Sequence, residues 1–134
     1  MTRLVLPLPP SKNASHKQFV RGKRIQRILT DKSRDFLDVA RWECRKWMQE
    51  SGWEMPDEET KVILRYWCYW PDRRKRDPAN MVDMMADALK GIAFVDDNIL
   101  LPQAMDFSID RANPRLEVEL EVIHHDRPLA DETL

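Results

Sequence analysis

The spacing of apolar residues between positions 31 and 51 is that of an amphipathic helix. Thr30 or Asp31 can cap the first turn, and Gly52 can take the left-handed conformation that ends a helix. The apolar positions recur at helical spacing: Phe36, Val39, Ala40, Cys44, Trp47 and Met48. The pattern therefore predicts one long helix over this segment.

Other segments carry strand patterns. Residues 4–8 alternate leucine with other residues before a Pro-Pro stop, and residues 115–123 alternate apolar residues with glutamate. Residues 61–70, KVILRYWCYW, are apolar at both alternating positions, which predicts an interior strand or one whose second face meets another subunit. We expect residues 103–111 to be the antiparallel partner of 115–123, and a hairpin to turn near Gly22.

Length and composition set the bounds on domain number and location. The 134 residues are enough for one domain, here 1–125 with a short charged tail at 126–134, and 43% hydrophobic with 34% charged residues fits a folded globular protein. Cys44 and Cys68 lack CxxC spacing, and no apolar run reaches the length of a membrane span. We therefore expect reduced, buried thiols in a cytoplasmic protein that does not bind a membrane.

The net charge of -1 does not indicate a nucleic-acid partner, so such a role depends on local charge. Four bases in a row, Arg73, Arg74, Lys75 and Arg76, run directly into Asp77. Asp77-Pro78 is a strong helix start, because the carboxylate caps free N–H groups and proline suits the first position.

A short helix after Asp77 would divide its residues between two faces. Asn80, Asp83 and Asp87 fall on one face at helical spacing, and an apolar loop then delivers Asp96 and Asp97. The apolar residues fall on the other face: Met81, Met84, Met85, Ala88 and Ile92.

Converging carboxylates predict a cation. Two like charges about 4 Å apart repel by about 1 kcal/mol in water and by about 4 kcal/mol at an effective dielectric near 20. Hard divalent ions such as Mg²⁺ take such oxygen ligands, while the basic block can grip phosphates. Together they predict metal-dependent phosphodiester hydrolysis. The alternative is that Asp77 is only a cap, and Asp83 and Asp87 only a solvated helix face.

The order of the motifs carries a family resemblance. PDRRKRD at 71–77 is followed by Asn80, DAL at 87–89 and VDD at 95–97, and LPPSKN stands at 8–13. In this order the motifs resemble the RusA-type Holliday junction resolvases, small endodeoxyribonucleases of bacteria and their phages and prophages. The resemblance spans roughly residues 4 to 123.

The resemblance implies a fold and an activity. The fold would be a small single α/β (α+β) domain, a mixed or antiparallel sheet packed by two main helices. The protein would work as a homodimer that cuts four-way or other branched DNA symmetrically, with Mg²⁺ or Mn²⁺ as cofactor.

By the same resemblance, Asp77 and Asp97 match catalytic, metal-binding aspartates, and Asp96 and Asp87 match other characteristic positions and are expected to bind the metal as well. Contacts to DNA would come from the four bases of the block and from two asparagines, Asn80 and Asn13.

Two residues depart from the family pattern. Ala79 stands where a second metal-binding aspartate is usual, and Asp83 replaces a lysine. Because residues 79 and 83 are one helical turn apart, we hypothesise that Asp83 supplies the missing carboxylate as a catalytic, metal-binding residue. The alternatives are a catalytically impaired junction-binding protein of the same fold and an interaction protein whose charges are only surface.

Overall fold

The computed structural model describes the backbone of residues 2–11, 16–21 and 24–124. It describes the side chains of residues 2–11 and 30–124. Its strands are β1 Leu4–Leu6, β2 His16–Arg21, β3 Arg24–Leu29, β4 Val62–Trp70, β5 Leu100–Ile109 and β6 Arg115–Val122. Its helices are α1 Asp31–Ser51 and α2 Val82–Leu89, with short 3₁₀ turns at Pro78–Met81 and Asp97–Ile99. The predicted single α+β domain with two main helices is confirmed.

The main sheet is mixed, with the strand order β1-β6-β4-β5. β4 pairs with β6 in antiparallel orientation and with β5 in parallel orientation, so it is the interior strand that its apolar sequence predicts. β2 and β3 form a separate antiparallel pair, as expected for a hairpin, and the turn predicted near Gly22 lies outside the described residues.

The predicted pairing of residues 103–111 with 115–123 is wrong. The two segments lie on opposite sides of β4, which takes the position between them. β4 is the more apolar strand: one face of it is buried from Val62 to Trp70, and the other face is half-buried. With β4 between β5 and β6, more apolar surface is removed from water than if β5 and β6 paired directly and left β4 at an edge.

The long helix α1 has the predicted ends. Thr30 caps its first turn, where its side chain accepts a hydrogen bond from the Ser33 N–H at 3.3 Å, and Gly52 ends it at φ 78°. Its apolar face packs on β1 and on α2. Two indole N–H groups fix this layer, that of Trp47 to the Thr2 carbonyl and that of Trp53 to the Ala93 carbonyl.

The predicted helix after Asp77 begins as a 3₁₀ turn and becomes α-helical only at Val82. Met81, Met84 and Met85 are buried, while Asp83 and Asp87 are exposed, so the predicted division into two faces is confirmed.

The sheet face opposite the helices is covered by ion pairs. Arg3 lies 3.6 Å from the centre of the Trp67 ring and pairs with Glu117 and Glu119, and Arg65 pairs with Glu121. In the described part of the chain, no helix is long and apolar enough to cross a bilayer.

Candidate active site and DNA interface

The candidate residues lie on the connection between two parallel strands. A chain that leaves β4 and re-enters the sheet as parallel β5 must cross back along the sheet, and residues 71–99 make this crossover. Apart from Asn13, every site residue predicted from the sequence lies on this crossover. Asn13 is outside the described residues.

The first part of the crossover is the basic loop, residues 72–76. Arg73, Arg74 and Lys75 are exposed, whereas Arg76 is half-buried. Arg76 Nη1 lies 2.7 Å from Asp72 Oδ1, and its guanidinium lies 5.6 Å from the centre of the Trp70 ring. Three of the four bases predicted to contact DNA are therefore exposed to a ligand, and the fourth holds the loop.

Asp72 is the partner that sequence reasoning missed. Its carboxylate also accepts a hydrogen bond from the Arg74 N–H at 2.9 Å. The Arg76 hydrogen bond, followed by that of the Arg74 backbone, lowers the pKa of Asp72 to about 2. Asp72 and Arg76 are four residues apart, but they lie in a loop and not in a helix, so this spacing alone does not predict the pair.

Asp77 lies directly after the basic loop and caps the 3₁₀ turn, where its carboxylate accepts a hydrogen bond from the Ala79 N–H at 3.0 Å. It borders a cleft of about 220 Å³, whose walls also include Ser11, Lys75, Arg76 and Asn80. The cleft is therefore lined by one acid, two bases, an asparagine and residues of the proline-rich segment near the N-terminus.

A buried tyrosine holds the turn that carries Asp77. The Tyr66 hydroxyl donates a hydrogen bond to the Pro78 carbonyl at 3.0 Å, and the tyrosine is 1% exposed. Burial, with smaller contributions from the charges of Cys68 and Asp77, raises the pKa of Tyr66 to about 12. Sequence reasoning assigned Tyr66 only to a strand, since nothing local links it to a residue twelve positions later.

A second acidic group surrounds Lys90. Lys90 Nζ lies 3.3 Å from Asp96 Oδ1, and this contact, together with the charges of Asp97 and Asp87, raises the pKa of Lys90. The Asp97 N–H, 2.7 Å from Asp96 Oδ1, lowers the pKa of Asp96, and Lys90 lowers it further. Three predicted site residues thus share the field of one lysine that sequence reasoning did not include.

The acids do not form a closed metal cage. Among residues 2–11 and 30–124, whose side chains are described, no three acidic, histidine or cysteine side chains are arranged to hold a metal ion. The donors are nevertheless of the type that Mg²⁺ takes in phosphoryl-transfer sites, where one or two carboxylates act together with substrate phosphates. Asp77 and Asp97 are both exposed carboxylates of this kind.

The structure does not test the hypothesis that Asp83 replaces a carboxylate at position 79. Asp83 is exposed in the first turn of α2, and Ala79 is exposed in the 3₁₀ turn before it. Because the two residues lie in different helix types, they are not separated by one regular α-helical turn as the hypothesis assumed.

Comparison with protein families decides the identity. The family model described as Endodeoxyribonuclease RusA matches residues 7–121, most of the chain. The chain belongs to the RusA endodeoxyribonuclease family. The RusA match covers both the cleft at Asp77 and the acidic group around Lys90, and membership implies endonuclease action on Holliday junctions. The comparison with curated proteins gives no match.

Proposed function

We propose that this RusA-family protein is a metal-dependent resolvase that nicks four-way DNA junctions symmetrically as a homodimer. The observation that carries the proposal is the cleft at Asp77, which the carboxylate lines together with two bases of the basic loop, Lys75 and Arg76. Phosphate-binding side chains beside a carboxylate are what phosphodiester cleavage needs.

In this proposal each part of the crossover has its own task. Arg73, Arg74 and Lys75 bind backbone phosphates, and Asn80 contributes a neutral contact at the cleft. Asp77 and Asp97 hold Mg²⁺ or Mn²⁺, with Asp96, Asp87 and Asp83 as the further acids of the site. When bound, the metal would polarise the scissile phosphate and lower the pKa of an attacking water.

The homodimer is supported by the free edge of β5. The first half of the strand, residues 101–105, is exposed, including Leu101 at 42% and Met105 at 47%. A long edge strand with exposed apolar side chains is suited to cover by another chain. A twofold dimer would match the symmetry of a four-way junction. Analytical ultracentrifugation tests it, and a monomer at all concentrations would contradict it.

The first experiment is cleavage of a synthetic four-way junction alongside linear duplex, in Mg²⁺ and with EDTA. We expect paired nicks in the junction alone, lost with EDTA and lost in the Asp97→Asn variant. Asp38→Asn is the matched control, because Asp38 is an exposed aspartate of α1 outside the crossover. Cleavage that persists in Asp97→Asn, or in EDTA, would refute the proposed metal site.

A second candidate is a junction-binding protein with impaired catalysis. Ala79 at a usual aspartate position favours it, as does the lack of a three-acid cluster among the described side chains. Salt-dependent junction binding without nicks would support this candidate, and restored cleavage in Ala79→Asp would show that the site is defective. If Asp83 already supplies the carboxylate, Ala79→Asp changes little and Asp83→Asn abolishes cleavage.

The place of action that fits both candidates is the cytoplasm of a bacterial cell, where junction DNA would be encountered. A phage or prophage source fits the same setting.

A further inference from the structure

A second cavity, of about 610 Å³, lies between the basic loop and the end of β5. Its volume falls within the range of about 300–1,000 Å³ that is usual for small-ligand sites. The cavity is lined by Trp70, Phe107 and Ile109 together with the side chains of the basic loop. An apolar floor with a basic rim is therefore present next to the cleft at Asp77.

The apolar floor is an uncovered part of the helix-side face of the sheet. In the parallel register Phe107 stands beside Cys68 and Ile109 beside Trp70, which places both on the face that β4 buries. Cys68 and Trp70 are buried, yet Phe107 is 58% exposed and Ile109 43% exposed. A large exposed aromatic ring beside a cavity favours a flat apolar ligand.

The basic rim of the large cavity favours a negatively charged ligand. Arg73, Arg74 and Lys75 are exposed around the opening, whereas the acid of the rim, Asp72, is paired with Arg76. The rim therefore attracts an anion, and its bases are the ones that the proposed function assigns to DNA phosphates.

The two cavities share a wall. Trp70, Lys75 and Arg76 line both the large cavity and the cleft at Asp77. A DNA strand with a phosphate at the cleft could therefore run towards the large cavity and place a neighbouring nucleotide beside Phe107.

We propose that the large cavity is a base pocket, which takes an unpaired nucleobase of the strand bound at Asp77 and stacks it on Phe107. The inference rests on the proposed function and adds to it the form of the substrate, a strand with one base out of the duplex stack. Aromatic stacking accepts any base and works with phosphate contacts on either side.

The test compares a labelled oligothymidylate with an equally long oligomer of abasic sites, which carries the same phosphates without bases. Binding is measured by fluorescence anisotropy in EDTA, so that cleavage does not interfere. We expect the wild-type protein to prefer the oligothymidylate by about tenfold, because base–aromatic stacking is of that order. Phe107→Ala should remove the preference and leave the salt dependence unchanged, and Phe107→Trp should keep the preference.

Trp42→Ala is the matched control. Trp42 lies on α1 and is 59% exposed, nearly the same as Phe107, so its removal should leave the base preference intact. Each of three results would overturn the proposal: no base preference in the wild type, a preference that survives Phe107→Ala, or a Phe107→Ala protein that loses its dimer. The last result would assign Phe107 to a subunit interface.

Junction cleavage in Mg²⁺, measured on the same preparations, separates the two proposals. Cleavage without a base preference refutes the pocket and leaves the resolvase. A base preference without cleavage supports the pocket and contradicts the resolvase.

Discussion

Replacing Tyr66 by phenylalanine removes one hydroxyl and keeps the buried ring. That hydroxyl donates to the Pro78 carbonyl at 3.0 Å, directly beyond Asp77. A neutral hydrogen bond of this kind contributes about 1 kcal/mol net, and a buried acceptor left without its donor adds more. Pro78 is only half-buried, so water can replace part of the lost bond. We therefore expect the free energy of unfolding to fall by about 1 to 1.5 kcal/mol.

Urea denaturation measures this change, and its midpoint should fall while the m-value stays constant. Because the hydroxyl holds the turn that carries Asp77, we also expect slower cleavage of the junction at unchanged junction affinity. We expect the cleavage rate to fall by about tenfold, because small misplacements of catalytic groups lower rates by up to about a hundredfold. Tyr66 would then be a positioning residue.

Tyr69→Phe is the control, because Tyr69 is the chain's other tyrosine and lies half-buried on the opposite sheet face under Arg115. It should change the free energy of unfolding by less than about 0.5 kcal/mol. Equal losses of stability and of cleavage rate in the two variants would refute the role of the Tyr66 hydroxyl. A Tyr66→Phe protein that is destabilised but cleaves at the full rate would restrict Tyr66 to a structural role.

Two further predictions concern charge. Replacing Arg73, Arg74 and Lys75 together by alanine should reduce the magnitude of the slope of log affinity against log salt by about 2 to 3, because each phosphate contact contributes about 0.9 on duplex DNA. Filter binding over a salt series measures the slope, and an unchanged slope would exclude these residues from the DNA interface. Arg76→Ala should change the slope less, because Arg76 is paired with Asp72, and should lower stability instead. The second prediction is a loss of stability in alkali, because burial raises the pKa of both Cys44 and Cys68 from 9.0 to about 11. The unfolded thiols lose their protons near pH 9 while the folded ones keep them, so this contribution is complete below pH 9 and is lost as the pH rises through 11. Urea midpoints between pH 8 and 11, measured under reducing conditions, should fall less steeply in a Cys44→Ala, Cys68→Ala protein; equal slopes would contradict this explanation.

Local signals in the sequence were sufficient for α1 and for the two faces of the segment after Asp77. Thr30 and Gly52 are adjacent to the helix that they end, and apolar spacing within one element needs no partner to be read. The candidate acids and bases of the crossover could also be recognised from the sequence, because their motifs are continuous stretches of chain.

Pairings between distant segments were not accessible in the same way. β5 and β6 are neighbours in the chain, yet β4 separates them in the sheet, because the partner of a strand is decided by competition among all strands. The contacts of Tyr66 with Pro78 and of Lys90 with Asp96 likewise depend on how the crossover folds back.

The crossover between β4 and β5 also has a consequence for the order of folding. Asp77 and Asp97 both precede β5 in the chain, but the connection that carries them is closed only when β5 pairs with β4. Parallel pairing across a long connection is a non-local contact, which forms slowly compared with a helix. A nascent chain that ends before residue 100 thus contains both aspartates without the fold that positions them. On this view, nuclease activity appears only once β5 has been synthesised and has docked, so that an unfinished chain does not cut DNA.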